Sequence, residues 1–106
     1  MIKEITPVEL KKWMDEKRDF QLVDVRESDE LAIASIGGLH IPLNTVPINV
    51  QKIDKNKDVV IYCRSGKRSA NAITYLMNSS GYDNLYNLKG GILAWSDEID
   101  NTIQKY

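Results

Sequence analysis

The sequence predicts an α/β fold whose sheet is parallel and covered by helices on both faces. Short apolar stretches alternate with segments of helical period along the whole chain. The stretches read as unbroken apolar runs, the pattern of strands buried on two faces. No internal repeat, low-complexity tract or linker interrupts the alternation.

Thr6-Pro7-Val8-Glu9 combines an N-cap, a proline at the first helical position and a glutamate three residues after the cap. Leu10, Trp13, Met14 and Lys17 continue at helical spacing, with Trp13 facing the core. Gln21 to Val25 reads as a buried strand, followed by a short acidic helix near Ser28 to Ala32. Gly37 and Gly38 mark a turn before a short strand around Leu39 to Ile41, and Val46, Val50 and Ile53 fit a helix beginning near Pro47. Val59 to Tyr62 is the clearest strand. Ala70, Ile73, Leu76 and Met77 stripe a helix starting near Ser69. Leu85 to Leu88 reads as a last strand, and Ile92, Trp95, Ile99 and Ile103 stripe the final helix.

With 106 residues the chain is expected to form one domain over residues 1–106, with a single core. Apolar residues at 42% and charged residues at 27% give a soluble globular composition. A net charge of −1 argues against a global nucleic-acid or membrane-surface role. No apolar run approaches the ~18 residues that span a bilayer. The start, Met1-Ile2-Lys3-Glu4-Ile5, lacks the apolar region of a secretory signal, so a cytoplasmic monomer is expected. One cysteine excludes an internal disulfide, and with the single histidine, His40, it leaves no structural zinc site. No Walker-type or dinucleotide fingerprint occurs, and neither metal nor cofactor is expected.

The single cysteine, Cys63, stands where the clearest strand gives way to a short basic loop, Cys63-Arg64-Ser65-Gly66-Lys67-Arg68-Ser69. In open α/β sheets ligands sit at the carboxyl ends of the strands, which places Cys63 in that crevice. A thiolate is held by nearby cations and by a helix N-terminus. Arg64, Lys67 and Arg68 supply the cations, and the following helix supplies aligned N–H groups. Curled inward, the loop amides form an anion nest. Gly66 permits the positive φ that closes so tight a loop, while Ser65 and Ser69 offer hydroxyls. A cysteine ending an apolar strand is ordinarily a small core residue. Three cations within five residues speak for chemistry instead.

Cysteine-based phosphatases place their nucleophile similarly but need an arginine six positions after the cysteine to clamp phosphoryl oxygens. Here that position is Ser69, with Arg68 one residue early and Tyr62 before the cysteine. The shorter loop makes a cradle for one large atom rather than for a phosphoryl group.

Nearly the whole chain resembles the single-domain members of the rhodanese family. The resemblance rests on Leu22-Val23-Asp24-Val25-Arg26-Glu27, on Ile36-Gly37-Gly38 with Ile41-Pro42-Leu43, on the Cys63 loop, and on Asn87-Leu88-Lys89-Gly90-Gly91-Ile92-Leu93-Ala94-Trp95, in the family's order. Ser35 departs from the pattern, where many members carry histidine or asparagine; a turn cap is expected there. The resemblance implies a three-layer α/β sandwich around a five-stranded, mostly parallel sheet. It also implies sulfur transfer through a Cys63 persulfide, from a small anionic donor such as thiosulfate to an external thiol or cyanide acceptor, which includes protein acceptors. The alternative is a non-enzymatic module that carries or senses sulfur for a partner protein. Asp24 and Arg26 end a strand at the same edge and are read either as an ion pair supporting the loop or, for Arg26, as a group attracting the donor. Trp95 is expected in the core, His40 in a structural or exposed role, and Gly90-Gly91 in a tight turn near the site.

Overall fold

The capping box read at Thr6 forms as expected: the Glu9 amide donates to Thr6 Oγ1 at 3.1 Å, and the Thr6 amide donates to Glu9 Oε1 at 2.9 Å. Helix α1 therefore starts at Pro7 and runs Pro7–Asp15; it stops short of Lys17, which takes a left-handed φ of +54°. The computed structural model describes residues 2–106, and Met1, the first residue of the segment weighed above as a leader, lies outside the described residues. Strand β1 (Lys3–Ile5) precedes α1, and the chain continues through β2 (Gln21–Asp24), α2 (Ser28–Ile33) and β3 (Leu39–His40). It then passes through β4 (Val59–Tyr62), α3 (Lys67–Ser80), β5 (Leu85–Leu88) and α4 (Gly91–Glu98).

The five strands form one sheet in the order β1-β5-β4-β2-β3, and every pairing is parallel. β4 lies in the middle, and its side chains alternate between two cores. Val59, Ile61 and Cys63 join Ala72, Ile73 and Leu76 of α3 on one face. Val60 and Tyr62 join Leu10 of α1 and Ile92 and Trp95 of α4 on the other. Each fully buried aliphatic side chain contributes about 1.5–3 kcal/mol. A strand buried on both faces is thus the best-anchored element of the fold. Among the described residues no helix is long and apolar enough to cross a membrane.

One element is added and three expectations are corrected. β1 has no counterpart in the sequence reading; only Ile5 of its three residues is buried, so an edge strand carries almost no apolar signal. The helix expected from Pro47 is instead a pair of 3-10 turns, Leu43–Ile48 and Val50–Lys52, because Pro47 lies inside the first and removes a donor. α3 begins two residues early, at Lys67, since its N-cap is Gly66 in a left-handed conformation and not a capping side chain. Ile103 packs with the α4-side core but lies beyond the end of α4.

Candidate active site

Cys63 is the first residue past β4, and strand alternation sends its side chain into the α3-side core, where it is 1% exposed. The chain then turns through Gly66, whose φ of +104° is accessible to glycine and strained for any L side chain. That turn brings the Gly66 amide to 3.1 Å from Cys63 Sγ. From the first turn of α3 the Ser69 amide lies 3.4 Å from the sulfur, and Ser69 Oγ is also at 3.4 Å. The amides of Ser65, Lys67 and Arg68 have no hydrogen-bond partner among the described residues.

The loop is held by elements far away in sequence. At the start of α4 the Ile92 amide donates to the Cys63 carbonyl at 3.0 Å and the Leu93 amide to the Arg64 carbonyl at 3.1 Å. These donors are the unpaired first N–H groups of a helix. Their approach requires Gly91, where a Cβ would stand 2.4 Å from the Arg64 oxygen. The Gly90-Gly91 pair is therefore a point of close backbone contact as well as a turn. Asn87 of β5, buried, donates from Nδ2 to the Gly66 carbonyl at 3.0 Å and accepts the Ser69 hydroxyl at 2.5 Å. Sequence reasoning quoted Asn87 in a motif without giving it a role. Its signal was a polar residue within an otherwise apolar strand.

The cations are disposed differently from expectation. Arg64 is exposed and bonds the main-chain carbonyl of Tyr106 through Nε and Nη2, with its guanidinium 5.2 Å from the Tyr106 ring. Arg68 grips Glu30 bidentately at 2.6 and 2.8 Å. Glu30 also accepts from the Tyr106 hydroxyl at 2.7 Å and from the Glu27 amide at 3.0 Å. Hydrogen bonding from Arg68 chiefly, against the cost of burial, holds the Glu30 carboxyl down to about 2. The same contact raises the Arg68 pKa. Lys67 is exposed and makes no ion pair among the described residues; Ser65 is exposed and its hydroxyl bonds nothing there. Sequence reasoning missed Glu30 and Tyr106, which carry no local signal of contact with the loop.

Asp24 and Arg26 form a buried pair, Arg26 Nη2 to Asp24 Oδ2 at 2.8 Å, with the guanidinium fully enclosed. Arg26 further donates to Tyr106 Oη at 2.9 Å and to the Ala34 carbonyl at 2.9 Å. Burial disfavours its charge most strongly, yet the bonds to Asp24 and Tyr106 outweigh it and raise its pKa. The ion pair forms and Arg26 has no exposed surface for a donor, but among the described residues its side chain bonds Asp24, Tyr106 and the Glu30 and Ala34 carbonyls, none of them in the Cys63 loop. His40 Nε2 lies 2.6 Å from the Arg26 carbonyl, and Ser35 Oγ accepts the Gly37 amide at 3.0 Å as a turn cap. Trp95 is core, 6% exposed. Among the described residues no three His, Cys, Asp or Glu side chains gather around a point where one ion would sit.

Beside the loop lies an open hollow of about 240 Å³ lined by Glu27, Leu43, Asn44 and Arg68. A larger one, about 590 Å³, is formed around Val50, Asp54 and Tyr82. Its residues precede β4 and β5, at the opposite end of those strands from Cys63, whereas the smaller hollow shares Arg68 with the Cys63 loop.

A family profile described as Rhodanese-like domain matches residues 6–98. A sulfurtransferase of Allochromatium vinosum is 43% identical over 97 residues, covering 91% of this chain and 90% of its own. The putative sulfurtransferase YtwF of Bacillus subtilis is 38% identical over 98 residues, covering 92% and 93%. The crystal structure of a rhodanese-like domain protein from Staphylococcus aureus superposes with a TM-score of 0.82 at 36% identity, covering 99% of both chains.

Proposed function

The chain belongs to the rhodanese-like domain family, and from that premise we propose that it is a sulfurtransferase carrying sulfane sulfur as a persulfide on Cys63. The observation that carries this reading is the convergence of donors on one buried sulfur, with the Gly66 and Ser69 amides at 3.1 and 3.4 Å. Donors fixed in advance stabilise charge without having to reorganise.

In the first half-reaction the Cys63 thiolate attacks the outer sulfur of an anionic donor. With thiosulfate the donor S–S bond breaks, sulfite leaves with the bonding pair, and a Cys63–S–S⁻ group remains. The free amides of Ser65, Lys67 and Arg68 are the groups proposed to hold the outer sulfur. In the second half-reaction an external thiol or cyanide takes that sulfur and the thiolate returns. The chain has no second cysteine to accept it internally. No general base is needed once Cys63 is ionised.

The test is incubation with thiosulfate, cysteine persulfide and 3-mercaptopyruvate in turn, followed by mass spectrometry and by turnover with cyanide or a thiol. We expect one added sulfur on Cys63, repeated turnover, and neither in Cys63→Ser. Loading without turnover on any small acceptor favours the carrier alternative. Turnover retained in Cys63→Ser refutes the nucleophile.

A further inference from the structure

Arg68 stands in the first turn of α3, one residue before Ser69, whose amide faces the Cys63 sulfur, and it is a loop cation already held by a carboxylate. Its partner Glu30 is anchored by four donors: both Arg68 nitrogens, the Tyr106 hydroxyl and the Glu27 amide. The Glu30 side chain is only 13% exposed, so the pair is a built feature and not a passing surface contact. Tyr106 itself is fixed by Arg26, which ties Glu30 to the buried ion pair of the core. The carboxylate is thus placed where it offsets the charge of Arg68, the residue next to the Ser69 amide that faces the sulfur. The adjoining hollow repeats this balance, since its other charged residue is Glu27, with Leu43 and Asn44 completing the lining.

Resting on the sulfurtransferase reading, we propose that Glu30 is the specificity-determining residue for the sulfur donor. By occupying Arg68 it disfavours a dianion and tunes the site to alkyl persulfides. The hollow lined by Glu27, Leu43 and Asn44 takes the alkyl part of such a donor. The step balances: the Cys63 thiolate attacks the outer sulfur of R–S–SH, the S–S bond breaks, R–S⁻ leaves with the bonding pair, and Cys63–S–SH keeps the proton. A departing thiolate carries one negative charge, whereas sulfite carries two, so the persulfide route asks less of cations beside the sulfur. Steering by a charged cleft changes association rates by roughly tenfold or more. The site's selectivity should therefore respond to a single carboxylate.

The experiment measures second-order rates of sulfur loading on Cys63 with thiosulfate and with cysteine persulfide, as a ratio within each variant. Glu30→Gln should raise the thiosulfate rate about tenfold and leave the cysteine persulfide rate within about twofold. A ratio unchanged from the wild type overturns the proposal while leaving the sulfurtransferase reading intact. Failure of the wild type to load from any donor removes that reading instead, and this one with it. Should Glu30→Gln not fold, the salt dependence of the wild type and of Lys67→Ala decides. With Arg68 neutralised, Lys67→Ala should lose most of the decline in thiosulfate loading between low and physiological salt, where the Debye length falls to ~8 Å. A decline that persists undiminished means that Arg68 serves the donor, and the proposal fails.

Discussion

Asn87 holds the proton of Ser69: the Ser69 hydroxyl lies 2.5 Å from Asn87 Oδ1 and 3.4 Å from the Cys63 sulfur. A serine hydroxyl has one proton to give. In the resting site it goes to the nearer acceptor, and the sulfur depends on the Gly66 and Ser69 amides. Asn87 simultaneously supplies a donor to the Gly66 carbonyl, so one side chain fixes both ends of the loop's turn. Asn87→Ala should destabilise the fold by about 1–3 kcal/mol and slow sulfur loading, because buried partners lose their bonds. Denaturant midpoints together with loading rates check this. Unchanged values in both would show that the loop stands without Asn87.

The backbone of the loop should matter more than its arginines. Gly91→Ala forces a Cβ against the Arg64 oxygen, 2.4 Å away, and must lift α4 from the loop. Gly66→Val imposes a β-branched residue on a φ of +104°. Each should cut loading by about a hundredfold, the cost of displacing reacting groups by an ångström. Arg64→Ala, which loses only contacts to Tyr106, should still acquire one sulfur on Cys63. Mass spectrometry after thiosulfate treatment distinguishes the two groups. Normal loading in both glycine variants with none in Arg64→Ala would reverse the account.

The buried pair beneath the site predicts an asymmetric stability effect. Asp24→Ala leaves the enclosed Arg26 guanidinium without its carboxylate and should cost about 3–5 kcal/mol. Urea unfolding of the two proteins measures it. A loss under about 1 kcal/mol would mean that the Ala34 carbonyl and Tyr106 suffice for Arg26.

Glu30 predicts a pH dependence of a definite sign. Its carboxyl is ordinary in the unfolded chain, near 4.5, and held at about 2 in the fold. The stability it contributes is full above pH 4.5, declines as the unfolded chain takes up the proton, and is gone below about pH 2. Melting temperatures of the wild type and Glu30→Gln should therefore differ near neutrality and converge across that window. A gap that stays constant from pH 6 to about pH 2 would contradict the ion pair.

What the sequence discloses here follows the range of the interactions. The α1 capping box spans three residues, and β4 declares itself by an uninterrupted apolar run, so both are legible locally. Cys63 follows as the residue delivered by that strand, and Gly66 as the residue its turn demands. The partners of the loop are another matter: Glu30 is 38 residues from Arg68 and Tyr106 is 42 from Arg64. The run Arg64 to Arg68 looks like a cationic collar because a sequence lists charges without their counter-ions. β1 is hidden for a related reason, since its pairing with β5 sets Lys3 opposite Tyr86, far along the chain.

Cys63 directly follows the central strand of the sheet, which has a core on either face. Backbone amides in such a place exchange with solvent only when the whole protein opens. The amides of β4 should then be the slowest to take up deuterium, and those of α2, which buries no residue, among the fastest. Gaining or giving up a sulfur atom at the tip of β4 would leave that ranking untouched. On the proposed function, a partner that distinguishes the loaded protein from the empty one is expected to read the loop itself, because the strand behind it is the best-anchored element of the fold.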